Sequence, residues 1–205
     1  MTIIEILPPT STLGLPPFAD AGRYLAIPGT SAPANLDDLL AEASQQIRTY
    51  CGWHIAPVIE ELVTLDGSGG CSQRLPSLHV RSITSVSSGG TDYDLTADST
   101  SVQWSEAGWL RLPGGWFSAD LRGVVVQFVH GYEMADVAEL GGICCDLVRQ
   151  ATTSPAGTVA SETVGSTSVS YSTSTASVTV AGGSVSLLGY QMAALDRYAL
   201  AKRAQ

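Results

Sequence analysis

The sequence VVVQFVHGY, residues 124–132, is apolar at every position from Val124 to Val129 except Gln127. Such a composition is typical of a strand inside a sheet, where both faces are covered. Upstream of it, short segments with alternating apolar residues are separated by glycine-rich turns at intervals of about ten residues. Residues 58–132 therefore predict a small antiparallel β-sheet or small barrel, with residues 124–129 as the central strand.

A helix is predicted on each side of this β-rich region. Apolar residues recur at helical spacing over residues 35–51, Asn35 can cap the start, and Gly52 follows where a left-handed cap is favoured. A similar pattern covers residues 136–152. The predicted fold class is α+β: a small helical bundle with an inserted antiparallel β-sheet or small barrel.

The remaining segments are predicted to lie outside this core domain of residues 35–152. Residues 1–34 are rich in Pro and Gly and predict an arm, with one helical turn near residues 19–25. Residues 153–183 form a Ser/Thr-rich tract, interpreted as an extended hairpin or loop. Residues 184–205 contain a C-terminal helix, predicted over residues 184–203.

The charge of the chain argues against several classes of function. The net charge is −9, so the basic surface of a nucleic-acid-binding protein is not expected. No apolar run is long enough to span a membrane, and the first ten residues do not resemble a signal peptide. Only 14% of the residues are charged, which suits a subunit that buries much of its surface against other subunits.

The cysteines do not form the pattern of a disulfide framework. Cys144 and Cys145 are adjacent, whereas Cys51 and Cys71 are isolated. We expect reduced, buried thiols in a reducing compartment.

No catalytic, metal or cofactor site is predicted. His54, His79 and His130 are widely separated and have no metal-ligand spacing. The sequence DGSGG at residues 66–70 is explained by a hairpin turn and lacks the residue order of a serine-protease nucleophile. The cluster Cys51-Gly52-Trp53-His54 is interpreted as packing at a helix end.

Seven segments, in this order, resemble the head-to-tail connector, or adaptor, proteins of long-tailed bacteriophages. The resemblance covers about residues 35–172, and residues 1–34 depart from the family pattern, which usually has a longer charged helix there. The segments are ASQQIRTYCGW (43–53), VTLDGSGG (63–70), RLPSLHVRSITSVSSGG (74–90), WSEAGWLRLPGGW (104–116), VVVQFVHGYE (124–133), DVAEL (136–140) and SETVGSTSVSYS (161–172).

The resemblance implies a structural protein of the virion neck, assembled in the cytoplasm of the host bacterium. Such adaptors form a ring, usually of twelve subunits, beneath the portal protein. The ring extends the DNA channel, and DNA passes through it without sequence-specific binding. It also offers a docking face to a neck, stopper or tail protein.

Two groups of residues are predicted to make these contacts. The C-terminal helix is the predicted portal-docking element, through Leu187, Leu188, Met192, Leu195, Arg197, Lys202 and Arg203. The Ser/Thr-rich tract is predicted to meet a neighbouring subunit or a tail-side partner, through Val164, Val169, Tyr171, Val178 and Val180. The alternative for the C-terminal helix is that it completes the core of its own subunit.

Two other classes of function stay open. The first is a virion decoration or binding module that recognises a glycan or protein through exposed tryptophans among Trp104, Trp109 and Trp116. The second is a hydrolase, which the absence of a nucleophile–base pattern disfavours.

Overall fold

The computed structural model shows a mixed α+β protein with antiparallel sheets. It describes residues 14–95, 102–153, 161–164, 167–170 and 187–200. Within these ranges the chain has four α-helices and open sheets of four, three and two strands, so the predicted class is confirmed and no closed barrel is present in them.

The chain divides into two compact units rather than one body over residues 35–152. The β unit contains Cys51–Val137 together with residues 198–200. The helical unit contains Pro16–Tyr50 and the described part of Ala138–Arg197. Each unit therefore combines segments that are distant in sequence.

The four-stranded sheet of the β unit has the order β1-β7-β3-β4. Its strands are β1 (Ile59–Leu65), β3 (Val80–Ser88), β4 (Thr91–Tyr93) and β7 (Val124–His130). The central position predicted for residues 124–129 is confirmed, because β7 pairs antiparallel with both β1 and β3. Val126, for example, lies opposite Val63 on one side and Val86 on the other.

A three-stranded antiparallel sheet, with the order β2-β6-β5, belongs to the same unit. Its strands are β2 (Ser72–Arg74), β5 (Gln103–Trp104) and β6 (Trp109–Arg111). Leu110 of β6 is completely buried and shares one hydrophobic cluster with Val126 and Phe128 of β7. The two sheets therefore enclose a common core.

The helical unit contains α1 (Ala21–Leu25), α2 (Leu36–Cys51) and α3 (Ala138–Thr153). The helix predicted over residues 35–51 is confirmed, and Gly52 after it has φ +80°, the left-handed conformation expected of a C-terminal cap. The next helix begins at Ala138, two residues later than predicted.

The segment predicted to be a peripheral arm contributes to the core instead. Phe18, Ala19 and Tyr24 are buried, and the Phe18 amide donates a 2.9 Å hydrogen bond to the Ser44 hydroxyl. The guanidinium of Arg48 lies over the Phe18 ring, 4.5 Å from its centroid. Phe18 before α1 and Tyr24 within it were a stronger signal than the surrounding prolines.

Within the described residues, the predicted C-terminal helix begins at Gly189 and is interrupted at Ala199. It consists of α4 (Gly189–Leu195) and a 3-10 turn over Asp196–Tyr198, and residues 184–186 and 201–203 lie outside the described residues. The carbonyl oxygen of Tyr198 accepts a hydrogen bond from the Trp53 indole.

The Ser/Thr-rich tract contains a short two-stranded pairing. β8 (Ser161–Val164) pairs antiparallel with β9 (Thr167–Ser170). Residues 171–183, the rest of the predicted hairpin tract, lie outside the described residues.

Apolar spacing also predicts that six residues share one core between the helices and the sheet. All six are buried, three in each unit. The helical unit contains Ile47, Leu140 and Leu147. The β unit contains Trp53, Val126 and Phe128.

Candidate functional site

All three tryptophans of the three-stranded sheet and its connecting loop are exposed. The exposed fractions are 41% for Trp104, 46% for Trp109 and 73% for Trp116. Leu121, in the loop before β7, is 83% exposed. Large apolar side chains are costly to leave in water, and tryptophan is enriched in protein interfaces. The β unit therefore carries the strongest candidate interaction surface of the described residues.

Strand register defines the outer face of the three-stranded sheet. Trp109 and Arg111 flank the buried Leu110, so their side chains project away from the core. Trp109 lies opposite Arg74, and Arg111 lies opposite both Ser72 and Gln103. We call this surface the Arg–Trp face; it comprises Ser72, Arg74, Gln103, Trp109 and Arg111.

The Arg–Trp face combines an aromatic ring with two cations. The guanidinium carbon of Arg74 lies 5.1 Å from the Trp109 ring centroid, which is within cation–π range. Arg111 is exposed, and no carboxylate of the described residues lies within ion-pair distance of it. In a chain of net charge −9, this face is a local exception that favours an anionic partner.

The predicted portal-docking residues differ in their accessibility. Leu187 and Leu195 are buried, whereas Leu188 and Met192 are half-buried. Arg197 is exposed and forms an ion pair with Glu139 in the helical unit. Lys202 and Arg203 lie outside the described residues.

The burial of Leu187 and Leu195 has a direct consequence for docking. In this conformation their side chains are covered by the chain itself, as the core-completing alternative expected. Tyr190, which sequence analysis did not select, is 61% exposed on α4. Tyr190 is an aromatic residue two positions from both Leu188 and Met192, which were predicted to dock. That proximity was the signal that could have identified it.

Of the residues predicted to contact a neighbouring subunit, Val164 and Val169 lie on the paired strands β8 and β9. The structure describes the backbone pairing there, in which Glu162 lies opposite Val169 and Val164 opposite Thr167. Tyr171, Val178 and Val180 lie outside the described residues.

The histidines, although distant in sequence, meet in one aromatic cluster in the β unit. The ring centroids of His54 and His130 are 4.4 Å apart, and the His79 ring stacks on Tyr132 at 4.2 Å. Trp53 packs edge-on against His54, with their centroids 5.4 Å apart. This convergence could not be predicted from the sequence, because tertiary packing brings the rings together and no local spacing indicates it.

The polar contacts of this cluster are internal to the fold. Nε2 of His54 lies 2.9 Å from the carbonyl oxygen of Pro57, and Nε2 of His130 lies 3.1 Å from a carboxylate oxygen of Glu61. A side chain at Gly131 would come within 2.6 Å of His54 Nε2, so the turn after β7 is packed closely against this ring. No group of three or more His, Cys, Asp or Glu side chains in the described ranges is arranged to hold a metal ion.

The DGSGG segment is held by contacts within itself and with the loop before β7. The Ser68 hydroxyl donates to the carbonyl oxygen of Ser72 at 2.6 Å, and the Asp66 carboxylate accepts from the Arg122 amide at 2.8 Å. His54 is engaged with Pro57. The predicted hairpin turn is wrong: β1 pairs with β7 and β2 with β6, so residues 66–70 connect two different sheets.

The cysteines show both an agreement and a correction. Cys51, Cys144 and Cys145 are buried free thiols, as expected, but Cys71 is exposed. Burial raises the pKa of Cys144 to about 11, and the hydrogen bond with Ser44 opposes part of that shift. A thiol with such a raised pKa is a poor nucleophile near neutral pH.

A search against protein-family models gives no match, and a search of curated proteins gives none either. No helix in the described part of the chain is both long and apolar enough to cross a membrane.

Proposed function

We propose that this protein is a head-to-tail adaptor of a long-tailed bacteriophage, a structural virion protein that forms a ring under the portal. In this role it extends the DNA channel and joins the capsid vertex to a neck, stopper or tail protein. In the assembly we expect a helical bundle with an inserted β-sheet, an extended Ser/Thr-rich hairpin and a C-terminal docking element.

The observation that carries the proposal is the concentration of exposed large apolar residues on the β unit. Trp116 and Leu121 are 73% and 83% exposed. Scattered single apolar residues on a surface are ordinary, but several large ones on one unit favour a protein–protein contact. Such a distribution suits a subunit whose β unit is covered by neighbours.

The overall charge is compatible with a DNA conduit. With 19 acidic and 10 basic residues, the surface opposes tight phosphate binding. DNA that must slide through a channel benefits from a wall that does not retain it.

The accessible side chains in and around α4 are the proposed portal contact. They are Tyr190 and the half-buried Leu188 and Met192, with Arg197 in the 3-10 turn that follows. The paired strands β8 and β9 are the proposed contact surface for a neighbouring subunit or a tail-side partner.

The test is electron microscopy of the protein alone and mixed with its cognate portal protein. A ring, or added density on one end of the portal, is the expected result. Replacing Tyr190 and Met192 by Ser should abolish portal binding, because both side chains are at least partly accessible. Glu42→Ser, at an exposed residue of α2 outside every proposed contact, is the control. A portal that never acquires density from the wild-type protein would refute the proposal.

The second candidate is a decoration module that binds a glycan or a protein. The same exposed tryptophans favour it, because aromatic faces stack on sugar rings and anchor protein contacts. A protein that stays monomeric, ignores the portal and is retained on a glycan column through Trp109 would establish this alternative.

A further inference from the structure

We infer that the Arg–Trp face docks onto an acidic groove of a second copy of this chain, which makes it one half of a head-to-tail subunit interface. The inference rests on the proposed ring and names the surfaces that would form it. The two surfaces are on different parts of the chain, and each is described by itself.

The first surface presents cations around an aromatic ring. Arg74 lies over Trp109, so its guanidinium is held on the sheet surface beside the indole. Arg111 projects from the same face two residues further along β6. A planar guanidinium recognises carboxylates through two parallel hydrogen bonds, and the indole adds a large apolar contact.

The second surface presents carboxylates beside exposed apolar side chains. A groove lies between the end of α1 and the start of α2, where Leu25 is 48% exposed. Asp37 and Asp38 line it and are exposed, and neither carboxylate has an ion-pair or hydrogen-bond partner in the described ranges. Pro33 adds a further apolar wall.

The two surfaces are complementary in both charge and polarity. Arg74 and Arg111 match Asp37 and Asp38 in number and sign, and Trp109 supplies an apolar group for the exposed part of Leu25. The excess of carboxylates over the whole chain further favours a second copy as the partner of a cationic face. A contact between two different surfaces is heterologous, and repeated heterologous contacts close into rings when the rotation permits.

Charge reversal on each surface tests the inference. Arg111→Glu reverses a charge on the Arg–Trp face and leaves the acidic groove intact. Asp38→Lys reverses a charge in the groove and leaves the face intact. In sedimentation velocity over a concentration series, wild-type protein should associate, and each variant alone should associate at least about tenfold more weakly. Asp38→Asn keeps the side-chain shape and should give a smaller loss. Circular dichroism and thermal unfolding check that every variant is folded.

Mixing the two reversed variants gives the sharpest result. The intact face of the Asp38→Lys protein can enter the intact groove of the Arg111→Glu protein, and the two reversed surfaces are again opposite in charge. The mixture should therefore regain the association that each variant loses alone. Arg149→Glu is the control, because it reverses an exposed arginine on α3 with the same change in net charge.

Several outcomes would overturn the inference. Two concern single proteins: the wild type is monomeric at every concentration, or the folded variants associate as strongly as the wild type. The other two are a mixture that stays monomeric and an Arg149→Glu variant that loses as much association as Arg111→Glu does. Binding of a single-stranded oligonucleotide that Arg111→Glu abolishes, with association unchanged, would assign the face to nucleic acid instead. Portal binding is measured separately, so head-to-tail association without it would refute only the proposed function, and rings insensitive to both variants would refute only this interface.

Discussion

The indole Nε1 of Trp53 donates a 2.6 Å hydrogen bond to the main-chain carbonyl oxygen of Tyr198. The two residues are 145 positions apart, and both are buried in the β unit. The bond satisfies a carbonyl at the point where the C-terminal 3-10 turn ends. It ties the last described residues to the segment that follows α2.

Replacing Trp53 should therefore destabilise the β unit. Trp53→Phe removes this hydrogen-bond donor from a buried site, so we expect a loss of about 0.5–1.5 kcal/mol in the free energy of unfolding. Trp53→Ala should cost about 3–5 kcal/mol, because a cavity is added. Chemical denaturation measures both. Trp116→Ala, at a residue 73% exposed, should change stability by less than about 0.5 kcal/mol. An equal loss at the two tryptophans would contradict the assignment.

A side chain at Gly131 should be poorly tolerated. Its φ is +106°, and a Cβ there would lie 2.6 Å from both His54 Nε2 and the Pro57 carbonyl oxygen. Gly131→Ala should therefore lower stability by more than about 2 kcal/mol, the sum of backbone strain and the clash. Gly114→Ala is the matched control, since φ is +76° and no atom lies within 4 Å of the added Cβ. The difference between the two melting curves isolates the clash, and its absence would disprove the close packing.

Truncating the core of the helical unit should have a large effect. Leu140 and Leu147 on α3 are fully buried, so replacing either by Ala should cost about 2–5 kcal/mol in urea denaturation. Leu121→Ala, at a residue 83% exposed, is the control and should be nearly neutral. A neutral result at Leu147 would mean that α3 does not pack through this face.

The thiols should differ in reactivity according to their burial. At pH 8 a maleimide should label Cys71 rapidly and Cys144 only after unfolding, because Cys71 is exposed and Cys144 is buried with a pKa raised to about 11. Mass spectrometry of the labelled peptides measures this, and Cys71→Ser should abolish the rapid phase.

The same pKa shift predicts a pH dependence of stability. The folded pKa of Cys144 lies above its usual value of 9.0, so the protonated thiol is favoured in the folded state. Its contribution is fully present below about pH 9 and is lost as the pH rises towards 11. Cys144→Ala should flatten the decline in stability between pH 9 and 10, and an unchanged slope would contradict the shift.

Residue patterns within single segments determined much of the fold. The apolar run at residues 124–129 predicted a central strand, and β7 is central, although Val125, Gln127 and Val129 on its second face are only half-buried. Helical spacing and Gly52 specified α2 and its end, since both signals act within a few residues. The binding-module alternative predicted exposed tryptophans among Trp104, Trp109 and Trp116, and all three are exposed.

Tertiary structure alone decided what the segments touch. Long-range packing placed Phe18 and Tyr24 in a core rather than in an arm, and it brought His54 and His130 into ring contact. It likewise buried Leu187 and Leu195, which periodicity alone had marked only as an apolar stripe. The physical reason is that a local pattern shows which side chains must leave water, whereas the surface that covers them comes from residues distant in the chain.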